Sequence, residues 1–107
     1  MDGMMDPKRV RSSQSSILYR FRDGRSIDEL AEDLKTGKIE PSNVPPLRLT
    51  ERDGQLFTLD NRRLEAFRRA DKEIPWRWAT ADEIAQESFK FTTTNDGISV
   101  RVRGELT

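Results

Sequence analysis

The feature that most constrains this chain is an abrupt change of period. Gln55-Leu56-Phe57-Thr58-Leu59 reads as an extended apolar run. The next residues, Asp60-Asn61-Arg62-Arg63-Leu64-Glu65-Ala66-Phe67-Arg68-Arg69-Ala70, open a helix with no loop between. Leu64 and Phe67 are three apart, and Ala66 and Ala70 four apart, so they form one core stripe. Arg62, Glu65, Arg68 and Arg69 are left largely outward. Asp60 or Asn61 stands where a side chain can cap the helix. Free N–H groups at a helix start, with Arg62 and Arg63 beside them, concentrate positive potential and suit a phosphate. Arg offers a planar, permanently charged fork for that contact.

Upstream, Leu47-Arg48-Leu49-Thr50 and Gln55–Leu59 flank Glu51-Arg52-Asp53-Gly54, and Asp-Gly between apolar runs predicts a tight hairpin. Ser26-Ile27-Asp28-Glu29 is a capping box. Ile27, Leu30, Ala31 and Leu34 then share one helical face, and Gly37 is placed to end the helix, so residues 27–36 are predicted helical. Residues 38–46, with three prolines, form a connector. Val10 to Ile17, carrying Arg11-Ser12-Ser13-Gln14-Ser15-Ser16, reads as a short strand followed by a hydroxyl-rich turn, and Tyr19 and Phe21 then alternate with Arg20 and Arg22 in a brief extended segment. Ile74-Pro75-Trp76-Arg77-Trp78 reads as a strand with both tryptophans on one face. They serve either as core or as a surface for base stacking or a partner.

Thr80-Ala81-Asp82-Glu83 is a second capping box opening a helix. The tail then alternates twice, Phe89 to Thr94 and Ile98 to Arg103, around Asn95-Asp96-Gly97, which predicts a C-terminal β-hairpin. Its outer face carries Lys90, Arg101 and Arg103, either solvated or gripping a phosphate backbone. Residues 1–9 show no periodicity and are predicted disordered.

Composition closes off several chemistries. Among 107 residues there is no Cys and no His, which removes disulfides, thiolate nucleophiles, Ser-His and Cys-His catalysis and the commonest metal ligand. Lys+Arg and Asp+Glu both number 19, so the whole-molecule basic field of many nucleic-acid binders is missing and any anion site must be local. No apolar run is long enough to span a membrane, and the start lacks a signal-peptide pattern, which points to a reducing cytoplasm.

Taken in order, these segments resemble the ParB/sulfiredoxin-like superfamily over roughly residues 10–79. The resemblance rests on Leu30-Ala31-Glu32-Asp33-Leu34-Lys35-Thr36-Gly37, Pro46-Leu47-Arg48-Leu49, Asp60-Asn61-Arg62-Arg63-Leu64-Glu65-Ala66 and Ile74-Pro75. With Phe21-Arg22-Asp23-Gly24-Arg25-Ser26 upstream of Leu59-Asp60-Asn61-Arg62-Arg63-Leu64, the chain is similar to ParB-like C-terminal toxin domains of bacterial polymorphic toxins, of Rhs and contact-dependent type. The resemblance implies an α+β fold: a small mixed sheet with three helices, a ParB-like core at 10–79, and a helix and β-hairpin extension at 80–107 of the same domain.

The resemblance also implies that the strand-to-helix box binds nucleotide phosphates, through Arg62 and Arg63. Asn61 takes the place of the ParB Glu or the sulfiredoxin Cys, which argues against sulfiredoxin activity. A partition protein would need a helix-turn-helix and a dimerisation tail that 107 residues do not hold. The expected function is a nucleotide- or nucleic-acid-binding toxin domain. It would cleave phosphodiesters in the cytoplasm of a target bacterium and be blocked by a cognate immunity protein.

Without His, cleavage has two routes. Arg and Lys can stabilise the developing charge with a carboxylate as base, or carboxylates can hold Mg²⁺ to activate water. The catalytic candidates are Asp60, Arg62, Arg63 and Glu65, with Asp60 as base, metal ligand or plain N-cap. The substrate-binding candidates are Gln14, Ser15, Ser16, Asn61, Arg62, Arg63, Lys90, Arg101 and Arg103. The alternatives are a nucleotide-dependent transferase or kinase on the same pocket, and a non-catalytic protein-binding module.

Overall fold

The computed structural model describes residues 3–105. Its frame is a five-stranded mixed sheet in the order β1-β6-β4-β5-β2. β4 (Leu47–Arg52) and β5 (Gln55–Thr58) form the expected hairpin. Asp53 (φ 52°) and Gly54 (φ 77°) both take the left-handed conformation that a two-residue turn of matching twist requires. β5 passes into α2 (Asn61–Ala70), whose chain returns as β6 (Ile74–Trp78) parallel to β4. β2 (Arg11–Ser12) pairs parallel to β5, reached through α1 (Ile27–Thr36).

The α+β class with three helices and a mixed sheet is as the sequence implies. α1 begins at the Ser26–Glu29 capping box, with both reciprocal bonds made, and ends at Gly37. α1 and α2 pack together on the sheet. Ile27, Leu30 and Leu34 meet Leu64, Phe67 and the sheet residues Leu47, Leu49 and Ile74, all essentially inaccessible. Burying side chains of this size stabilises by about 1.5–3 kcal/mol each. Trp76 packs against this core, while Trp78 stands half exposed with its ring edge-to-face on Trp76, centroids 5.1 Å apart.

Along β4 only Leu47 and Leu49 point into the core, so Arg48 lies on the opposite face. That face is met by the chain after residue 79. α3 (Ala81–Gln86) starts at the Thr80–Glu83 capping box, and a 3₁₀ turn follows at Ser88–Lys90. Phe91 then packs edge-to-face on Phe57, beneath the Arg52 guanidinium.

Two expectations are corrected here. The tail does not form a hairpin. The Asn95–Gly97 turn exists, but β7 (Arg101–Arg103) pairs parallel with β3 (Ser16–Leu18) in a separate two-stranded sheet. Meanwhile the Thr92 and Thr93 N–H groups donate to the Ser13 carbonyl. A lone two-stranded hairpin is marginal in water, and these strand residues gain more by pairing with the body of the fold. Residues 3–9 are not disordered either. β1 (Gly3–Met5) pairs antiparallel with β6, and a 3₁₀ turn at Pro7–Arg9 is capped by Asp6. The first two residues of the predicted disordered segment lie outside the described residues. Among the described residues no helix is long and apolar enough to cross a membrane.

Candidate functional site

A cavity of about 440 Å³ opens where β5 turns into α2. Its floor is the helix start, Asp60 to Arg63. One wall is the Gln14–Arg22 segment, and the other is the tail, through Glu87, Lys90 and Arg103. Ile17, Leu18, Phe21 and Leu59 supply its apolar surface.

The helix start is not capped as the sequence suggests. Asp60 occupies the N-cap position but makes no side-chain cap bond. Its carboxylate turns instead to Arg48, which donates from its backbone N–H (2.7 Å), Nε (3.1 Å) and Nη2 (2.8 Å). Arg63 closes on the same carboxylate at 2.7 Å. Nor does Asn61 cap. Its Oδ1 accepts from the Ser13 N–H (2.8 Å), and its Nδ2 donates to Ser13 Oγ (2.9 Å) and Gln14 Oε1 (3.3 Å). Asn61 thus braces the Ser13–Gln14 segment against α2, its amide fully engaged. The consequence is that the N–H groups of Asn61, Arg62 and Arg63 find no acceptor among the described residues. Open donors of this kind at the positive end of a ten-residue helix suit an anion.

Arg48 is the hub of the surrounding charge. On its far side it pairs with Glu87 and, at 3.6 Å, with Glu83. Arg77 clasps Glu83 with two bonds of 2.9 and 2.8 Å. Lys90 pairs with Glu87 and donates to the Leu59 carbonyl at 2.9 Å. Burial works against the charge on Asp60, but the Arg48 hydrogen bonds and the Arg63 charge outweigh it, holding its carboxyl below the ordinary value. Burial likewise opposes the charge on Glu87, and Arg48 and Lys90 bring it below the ordinary value. Hydrogen bonds from Arg77, then the Thr80 backbone, take Glu83 to about 2. Carboxylates held ionised by two cations each are weak proton acceptors.

Six cations therefore face two carboxylates in the cavity wall: Arg22, Arg48, Arg62, Arg63, Lys90 and Arg103 against Asp60 and Glu87. Arg62 keeps donors to spare after bonding the Arg20 carbonyl at 2.8 Å, and Arg63 after bonding the Pro45 carbonyl at 2.6 Å. Arg22 and Arg103 make no side-chain hydrogen bond or ion pair among the described residues. A neutral chain has gathered a local positive site.

Of the predicted site residues, the fold brings Gln14, Ser16, Asp60, Asn61, Arg62, Arg63, Lys90 and Arg103 to this cavity. It leaves out three. Glu65 points along α2 to Arg69 (3.0 Å) and Arg68 (3.7 Å). Ser15 is tied through its backbone to Thr92 and Arg101, and Arg101 is exposed and does not line the cavity. Arg68, read as outward, folds inward and bonds Ser12 Oγ and the Val10 carbonyl, each at 2.9 Å. Arg48, Glu87 and Arg22 are unforeseen members. Glu83 and Glu87, one turn apart, signal a basic partner, but only the fold reveals it as Arg48.

The residues do not make a ready Mg²⁺ site. Asp60 and Glu87 are both closed on Arg48, and no group of three or more acidic ligands forms among the described residues. Comparison with protein-family models, with curated proteins and with solved structures found no match.

Proposed function

We propose that this cavity binds a phosphate ester, a nucleotide or the backbone of a nucleic acid, with a phosphate seated on the α2 start. The observation that carries the reading is the uncapped helix N-terminus opening into a cavity lined by Arg22, Arg62, Arg63, Lys90 and Arg103, whose two acids are already paired. Each charge-assisted bond to the phosphate is worth about 1.5–3 kcal/mol. Arg48 and Asp60 act as positioning residues. Their pair draws the Asp60 carboxylate off the helix N-terminus and aims Arg63.

The cleavage expected of a ParB-like toxin domain, acting in the cytoplasm of a target bacterium and opposed by an immunity protein, rests on the sequence resemblance. On this site it takes a particular form. Arg62, Arg63, Lys90 and the helix N–H groups stabilise charge on the phosphoryl oxygens. Asp60 is a poor candidate for the base there, because its carboxylate is buried, held by both Arg48 and Arg63 and lowered in pKa.

The test is titration calorimetry of the purified chain with nucleoside mono- and triphosphates and with short DNA and RNA. The same mixtures are assayed for cleavage, with and without Mg²⁺. Binding that falls at least tenfold in the Arg62→Ala/Arg63→Ala variant supports the proposal. Cleavage by the native chain, with growth arrest and degraded nucleic acid on expression in bacteria, adds the toxin chemistry; arrest with intact nucleic acid points to a transferase. Equal behaviour of native and variant chains overturns the proposal and favours a protein-binding module.

A further inference from the structure

A second cavity, of about 560 Å³, lies between the α1 C-terminus and the proline-containing connector. It shares two residues with the first, Phe21 and Arg63. Arg63 reaches both sides. One guanidinium nitrogen holds Asp60 in the first cavity, while another holds the Pro45 carbonyl in the wall of the second. The Phe21 ring is flanked in the same way. The Arg62 guanidinium lies 5.7 Å from its centroid and that of Arg25 6.0 Å, one from each cavity. The two cavities are thus neighbours across one aromatic ring and one arginine.

The second cavity differs in character. Ile39, Val44 and Leu30 make it more apolar, Arg25 and Lys38 make it basic, and no carboxylate lines it. The Arg25 side chain, 38% exposed, approaches Asp23 only at 3.9 Å and keeps donors to spare. Asn43 offers an amide at the rim, with donor and acceptor both unused among the described residues. Apolar walls, an aromatic edge, an amide and two cations suit a planar heterocycle carrying a phosphate.

We infer that the two cavities form one cleft for two consecutive nucleotides joined by a phosphodiester. The terminal phosphate sits on α2, the first nucleoside lies against Phe21, and the second nucleotide occupies the Arg25–Lys38 cavity. The inference rests on the phosphate site proposed above and names its ligand class. The linkage is shared by a free dinucleotide and by the 5′ end of a nucleic-acid strand.

The experiment compares Kd by titration calorimetry for 5′-mononucleotides, the four 5′-phosphorylated homodinucleotides and a 5′-phosphorylated hexanucleotide. The proteins are the native chain, Lys38→Ala, Arg25→Met and Arg62→Ala/Arg63→Ala. The expected result is that at least one dinucleotide binds about tenfold or more tightly than its mononucleotide, as stacking of one added base would give. Lys38→Ala and Arg25→Met should each remove most of that gain while leaving the mononucleotide Kd unchanged. A hexanucleotide that binds as well as the dinucleotide identifies a strand end as the source, and one that binds poorly identifies a free dinucleotide. Equal affinities for mono- and dinucleotide, both weakened by Arg62→Ala/Arg63→Ala, overturn the two-nucleotide cleft and leave the phosphate site standing. A dinucleotide gain that survives both second-cavity variants also overturns it. Absence of binding by every ligand overturns the phosphate site itself, and the cleft with it.

Discussion

Replacing Arg48 by Met isolates the ion cluster that shapes the site. Met keeps most of the packing length and removes every charged donor of the side chain. Arg48 is 18% exposed and the Asp60 side chain 7%, whereas Glu87, at 19%, can turn to water and keeps Lys90. The loss therefore falls mainly on Asp60. Stripping one partner from a buried pair costs about 3–5 kcal/mol. Asp60 retains Arg63 and the residue-48 backbone N–H, so a smaller loss, about 2–3 kcal/mol, is expected at pH 7. In a domain of this size that lowers Tm by about 10–20 °C.

The pH dependence gives a second reading of the same cluster. The Asp60 pKa is depressed in the folded chain, so its stabilising contribution is present above the unfolded value of about 4 and is lost as pH falls through the folded value. Without Arg48 that depression weakens and the acid protonates sooner. The gap between native and variant is then widest near neutrality and narrows below about pH 4. Urea unfolding at pH 7 and pH 3, followed by circular dichroism at constant m-value, measures both. A gap under about 1 kcal/mol at pH 7, the level of an exposed ion pair, would refute the hub reading. So would a gap of equal size at both pH values. Adding Asp60→Asn should restore part of the loss, because the uncompensated charge is removed with its partner.

Gly97 has φ 71°, and a Cβ there would collide with the Ser12 carbonyl oxygen, so Gly97→Ala should cost about 2 kcal/mol or more in urea unfolding and loosen proteolytic protection of the tail. Asn61→Ala leaves the buried Ser13 N–H without its 2.8 Å acceptor and should cost about 1–3 kcal/mol, read as a shift in urea midpoint, with phosphate-ester affinity falling as the Gln14 wall slackens.

The parts of this fold that were legible in the sequence are those whose partners are neighbours in the chain. The Ser26–Glu29 box, the α1 stripe and the Asp53-Gly54 turn all act within a few residues, and each stands where its pattern puts it. The arginine-bearing start of α2 was legible as a helix start for the same reason. What misled was local chemistry overruled from a distance. Asp60 has every local reason to cap α2, but a buried arginine on an adjacent strand outcompetes the helix N–H groups for its carboxylate. Phe91, Val100 and Val102 alternate as a hairpin should, yet Phe57 and the Ser16–Leu18 strand offer them more burial. Gly3-Met4-Met5 carries no strand signal of its own and becomes one because β6 presents an unpaired edge.

The pairing of β3 with β7 has a consequence for the cell that makes this chain. Residues 16–18 leave the ribosome well before their partners, residues 101–103. Arg103 and Lys90, two of the cavity's cations, belong to that late segment. Synthesis runs from the N-terminus, and contacts this distant in sequence form slowly. The sheet and its two packed helices can take shape on the nascent chain while the cationic cleft still lacks a wall. A chain that has emerged only as far as α3 would therefore hold the core without that wall, and the cavity is completed only when residues 101–103 reach β3.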